Sequence, residues 1–216
     1  MTATGCVFFI FVATTTSTWN EMSAPPVIWS KSLRGVLEKH INAVRSDSKM
    51  PPLSSTSMTS GHSSRAAIDV CFEALRKKDR LASSVTRGIT EQSVEFVVDL
   101  FEQCCSQSLL TPAERECVTA ATKLRPGKGT SAPASKKRRV DYSGSIFGRL
   151  VYSEVLPAEY FLRFLFALPR LLENYQMQTI GSPVVMLEQL WTRVQTMATT
   201  LEKFSFYPVS QYAPML

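Results

Sequence analysis

The stretch Leu156-Pro157-Ala158-Glu159-Tyr160-Phe161-Leu162-Arg163-Phe164-Leu165-Phe166-Ala167-Leu168-Pro169 is the most apolar in the chain. Extended through Leu171 and Leu172 to Gln176, it reads as a helix whose polar stripe is narrow: Glu159, Arg163 and Arg170. A helix apolar on nearly every side belongs at the centre of a domain, packed on most faces. Glu159 and Arg163 stand four residues apart, a spacing that permits a salt pair on the helix surface. Pro169 removes a backbone donor from the run and predicts a kink, or an end to its first half.

Helical periodicity continues outward on both sides. Upstream, Thr90 opens a helix with an apolar stripe of Val94, Val97, Val98, Phe101, Cys104 and Cys105. Glu91, Glu95, Asp99 and Glu102 face water. The two adjacent cysteines read as small core residues. Thr111-Pro112-Ala113-Glu114 has the chemistry of a helix start: a capping Thr, Pro in the first turn and Glu three residues on. Further upstream, Ser30 or Ser32 caps a helix with Leu33, Val36, Leu37, Ile41 and Val44 on one face. A shorter helix carries Ile68, Cys71, Phe72 and Leu75 and ends in Arg76-Lys77-Lys78. Downstream, Ser182-Pro183 starts a last long helix with Leu187, Leu190, Trp191, Val194, Met197 and Leu201 in period. The aromatic tail from Phe204 to Leu216 is expected to cross the bundle in extended form.

The expected fold is therefore mainly α: a compact domain of five to seven helices. Residues 19–216 form that domain and residues 1–18 an apolar lead-in. Polar, flexible insertions stand outside the core at 46–63, rich in Ser, and at 124–145, rich in Pro, Gly, Ser and charge. The run Cys6-Val7-Phe8-Phe9-Ile10-Phe11-Val12-Ala13 reads as a short strand or an apolar lead-in. A secretory segment is the competing reading, but no basic residue precedes the run.

Composition bounds the function. The chain has 216 residues, 44% of them hydrophobic and 19% charged, enough apolar material for a core. No run reaches the ~18 apolar residues of a membrane span. The net charge is +6, yet Lys123 to Arg139 holds seven basic residues and no acidic ones. Without that stretch, seventeen basic residues face eighteen acidic ones. The folded part is near neutral, which argues against a phosphate-gripping face. Lys136-Lys137-Arg138-Arg139 fits a short nuclear-import signal in an exposed segment.

Catalytic chemistry has no signature here. His40 and His62 are the only histidines, without metal-ligand spacing, and no cysteine pair has CxxC spacing. No phosphate-binding glycine loop or GxSxG occurs. We expect no enzyme activity, no cofactor and no metal. The aromatic and aliphatic residues point instead to core packing and to a protein-binding groove.

The central stretch also resembles a family signature. Ala158, Glu159, Leu162, Arg163, Leu168 and Pro169 match, without a gap, the Y-G-A-E-H-L-L-R-L-F-V-x-L-P helix of the MRG domain. Ser106 to Arg115 is similar to that family's G-x-x-L-L-Y-x-x-E-R segment. Val27-Ile28 with Val36-Leu37-Glu38 resembles its first helix and lead-in, and Phe206 to Tyr212 its aromatic tail. The departures are Leu156-Pro157 in place of Tyr-Gly, Thr111 in place of an aromatic residue, and the two insertions.

The resemblance implies a non-catalytic, nuclear, protein-binding subunit of histone acetyltransferase or deacetylase complexes, acting in transcription control. Its partners would be other protein subunits, held as short segments in a shallow apolar groove. It implies that Leu187, Leu190 and Trp191 line the groove, that Trp19 contributes from the lead-in, and that Tyr160 and Arg163 form the rim. About thirty residues precede the first helix, too few for the methyl-lysine-reading chromodomain that many family members carry. The competing classes are a secreted or membrane-targeted helical protein, and a helical nucleic-acid binder using residues 123–139.

Overall fold

The computed structural model describes residues 27–53, 60–123, 151–176 and 184–215. Among these, four helices begin where a hydroxyl caps the first turn. Ser30 accepts from the Leu33 N–H at the start of α1 (Lys31–Arg45), and Ser63 accepts from Ala66 at α2 (Ser64–Lys78). Ser83 accepts from Thr86 at α3 (Ser84–Cys104), and Thr111 accepts from Glu114 at α4 (Pro112–Lys123). Each hydroxyl satisfies a backbone donor that the helix itself cannot. Three further helices follow: the four-residue α5 (Tyr152–Val155), the long α6 (Ala158–Gln176) and α7 (Val184–Leu201). The expectation of a mainly α fold holds.

Helix α6 is the centre. Tyr160, Leu162, Phe164, Leu165 and Leu168 are fully buried, and α1, α2 and α3 pack against it. Phe101 of α3 meets Phe161 and Phe164 edge-on, at 5.6 and 5.4 Å between ring centres. The helix runs through Pro169 to Gln176 without ending there. Cys104 and Cys105 are buried as expected. The chain leaves α3 through a π-helical turn, Cys105–Leu109, which carries Leu109 and Leu110 into the core before α4 begins.

Two boundaries differ from the sequence reading. Helix α3 starts at Ser84, not at Thr90. Thr90 is a buried mid-helix residue whose hydroxyl reaches Asp79 and accepts from Arg193 Nε at 3.0 Å. The Ser-rich stretch also enters the fold. Lys49–Met50 (β1) pairs antiparallel with Ala213–Pro214 (β2), and Met50 is buried in the core. Ser48, at φ 50°, turns the chain into this pair, and its carbonyl accepts from the Met215 N–H. The C-terminal tail, expected to be extended throughout but broken by a 3-10 turn at Val209–Gln211, is thereby tied across the bundle. The lead-in 1–18 with its expected strand, and the insertion 124–145, lie outside the described residues.

Candidate functional site

Two places bring functional side chains together. The first is buried. Glu114, at the third position of α4, closes a reciprocal cap: its Oε2 accepts from the Thr111 N–H at 2.6 Å, and its own N–H donates to Thr111 Oγ1 at 3.3 Å. The same carboxylate faces α6. Tyr160 donates its hydroxyl to Glu114 Oε1 at 2.9 Å, and Arg163 Nη1 donates to that oxygen at 3.1 Å. Glu114 is fully buried and Arg163 mostly covered, so the pair is largely desolvated, with both carboxylate oxygens hydrogen-bonded. The surface pair expected between Glu159 and Arg163 does not form. Arg163 turns to Glu114, and Glu159 is itself buried, with Oε1 accepting from the Tyr207 N–H at 2.6 Å.

Around this pair the environment sets the protonation states. Burial, and second the charge of Arg163, push the His40 imidazole down to about 3, so the ring is neutral. Its Nδ1 lies 3.3 Å from the Tyr212 hydroxyl, and its ring meets Tyr160 edge-on. Burial pushes the Glu159 carboxyl up to about 7, against the pull of backbone N–H donors including that of Tyr207. The cluster ties α1, α4, α6 and the tail together.

The second place is open to solvent. Helices α2 and α7 pack along one another, and Val27-Ile28-Trp29 runs beside them. Alternation sends Val27 and Trp29 inward, where the Trp29 ring lies tilted against Phe166 at 4.7 Å between ring centres. It leaves Ile28 78% exposed. Gln195 of α7 clamps this backbone: the Ile28 N–H donates to Gln195 Oε1 at 2.6 Å, and Gln195 Nε2 donates to the Ile28 carbonyl at 3.0 Å. Ile28 and Trp191 form the apolar walls of an open cavity of about 580 Å³. Thr192, Thr196 and Thr199 line its hydroxyl-bearing side. Lys78 stands opposite on α2, donating to Thr196 Oγ1 at 3.2 Å.

The expected groove residues fall into four groups. Trp191 lines the cavity, half-buried, with its inner side against the core. Leu190 and Tyr160 are core residues: Leu190 points inward from α7, and Tyr160 is 0% exposed with its hydroxyl spent on Glu114. A rim role for Tyr160 is corrected on that ground. Arg163 is mostly covered and paired to Glu114, a buried strut and not a rim charge. Trp19, the Leu187 side chain and Lys136–Arg139 lie outside the described residues.

The structure adds residues that the sequence did not single out. Ile28, Gln195 and Thr196 shape the cavity, and Lys78 brings its only charge among the described residues. The available signal for the first was the apolar run Val27-Ile28-Trp29, since extended backbone turns alternate side chains to opposite faces.

The arrangement suits holding an apolar chain segment. The buried thiols of α2 and α3 are poor nucleophiles, since burial pushes Cys71 up to about 12 and Cys104 to about 11. Among the described residues, no group of three or more His, Cys, Asp or Glu side chains stands where it could hold a metal ion. A family model described as MRG matches residues 14–213. No curated protein matches the chain.

Proposed function

The chain belongs to the MRG family, and from that premise we propose a non-enzymatic scaffold subunit of a nuclear complex that adds or removes histone acetyl groups. The family is a non-catalytic interaction module of chromatin complexes. In this reading the cavity between Ile28 and Trp191 holds a short apolar segment of a partner subunit. One observation carries it: an exposed Ile and a half-buried Trp line the same open groove, the Trp resting on the core with one side and lining the groove with the other. Trp is among the residues enriched in protein-binding hot spots, and a bound segment would complete the desolvation of its exposed side.

Lys136–Arg139 supplies nuclear import in this account. The competing membrane class has one finding against it: among the described residues, no helix is long and apolar enough to cross a bilayer. The nucleic-acid class predicts DNA affinity that survives deletion of residues 123–139. The scaffold reading predicts none beyond that segment. Affinity purification of the tagged chain, with identification of the co-purifying subunits, tests the proposal.

A further inference from the structure

The groove has apolar walls and no occupant among the described residues, and the sequence holds an apolar segment outside them. Cys6-Val7-Phe8-Phe9-Ile10-Phe11-Val12-Ala13 carries no charge, and no charged side chain occurs in the first twenty residues. The family match begins at residue 14, so this run is additional to the shared domain. The described chain begins at Val27, directly beside Ile28 on the groove wall.

We propose that the apolar run Cys6–Ala13 occupies the Ile28–Trp191 groove of its own chain. Three arguments support it. An eight-residue run of Phe, Ile and Val left in water would be a sticky patch, and so would the groove walls; covering one with the other removes both from solvent. The tether permits it, because residues 14–26 extend to about 45 Å, enough to reverse and return to the groove beside which they end. A tethered segment acts at an effective concentration of order millimolar, so modest complementarity suffices. The ligand suits the walls: uncharged and rich in aromatic and β-branched residues, it meets Ile28, Trp191 and the threonine side chains, and the one cation of the lining, Lys78, already donates to Thr196. A partner segment using the same groove would have to displace the run. The occupancy itself does not depend on the scaffold reading.

The test uses the full chain with Thr199→Cys, at an exposed groove position, and compares it with Asn42→Cys, an exposed position on α1 away from the groove. Neither change touches the core. In a glutathione redox buffer, peptide mapping reads the rate of disulfide formation from Cys6. The expected result is an intramolecular link from Cys6 to the thiol of the Thr199→Cys protein. It should form at least ~10-fold faster than the link from Cys6 to the introduced thiol of the Asn42→Cys protein. Adding Phe9→Asp and Phe11→Asp should bring the two rates together. Equal rates at the start would overturn the proposal, as would a fast link unaffected by the Phe changes. A link that forms only between two molecules would also overturn it, making a second copy the occupant.

Discussion

Arg163 of α6 reaches 3.1 Å to Glu114, the carboxylate that also closes the cap of α4. One buried side chain thus fixes where α4 starts and where it sits on the central helix. Breaking such a pair from one side leaves a buried charge unmatched. Arg163→Met is expected to cost about 3–5 kcal/mol of unfolding free energy. Thr111→Ala, which removes only the cap hydroxyl, should cost about 1 kcal/mol. Adding Glu114→Gln to Arg163→Met should cost less than the two single changes summed, a coupling that urea melts of the four proteins would read.

His40 and Glu159 should give opposite pH dependences. The unfolded His40 binds its proton near 6.5 and the folded one not until about 3, so its contribution weakens folding as pH falls below 6.5. The folded Glu159 binds its proton near 7 and the unfolded one near 4.5. Its penalty is therefore full above pH 7 and disappears as pH falls to 4.5. Glu159→Gln should be more stable than the wild type at pH 8, by about 3 kcal/mol, with the advantage gone near pH 4.5. His40→Gln should lose the acid-side slope, about 1.4 kcal/mol per pH unit. Denaturant midpoints from pH 4.5 to 8 measure both, and a pH-independent difference for Glu159→Gln would contradict the burial argument.

Core and groove separate on α7. Leu190→Ala, at a buried position, is expected to cost about 2–5 kcal/mol of stability. Thr196→Arg, in the groove, should leave the melting transition nearly unchanged while weakening partner binding by about 2 kcal/mol or more. Trp191→Ala should show both effects, since its ring meets the core on one side and the groove on the other. Differential scanning fluorimetry beside partner pull-down reads the split.

Import should follow the basic tetrad. With Lys136 to Arg139 changed to Ala and a bulky reporter fused to stop passive diffusion, the protein is expected to leave the nucleus. Unchanged nuclear fluorescence would remove the tetrad from the account.

Local chemistry was legible in the sequence where it is decided locally. Thr111 and Glu114 cap α4 as their spacing implied, and the stripe from Val94 to Cys105 faces the core. What the spacing could not show was which distant group competes. Arg163 had a partner available at i−4 but takes Glu114, 49 positions away, while Glu159 is drawn to the Tyr207 backbone. Glu102 looked solvated, yet it accepts from the Tyr152 and Ser153 N–H groups and caps α5. The start of α3 was hidden because its first turns carry an exposed Val85 and no apolar stripe. Met50 sat in a polar stretch, and its burial depends on pairing with a tail more than 150 residues on. The candidate site was legible only at Trp191. Ile28 and Gln195 become neighbours through tertiary packing alone.

A chromatin-complex scaffold working through the Ile28–Trp191 groove should reveal itself in one paired purification. The tagged full chain and its Thr196→Arg variant are isolated from nuclear extract, and the co-purifying proteins are quantified. The wild type is expected to bring down subunits of one histone acetyltransferase or deacetylase complex, and the equally stable variant to lose them at least ~10-fold. Equal recovery by both proteins, or a wild type that brings down no such subunits, would contradict it.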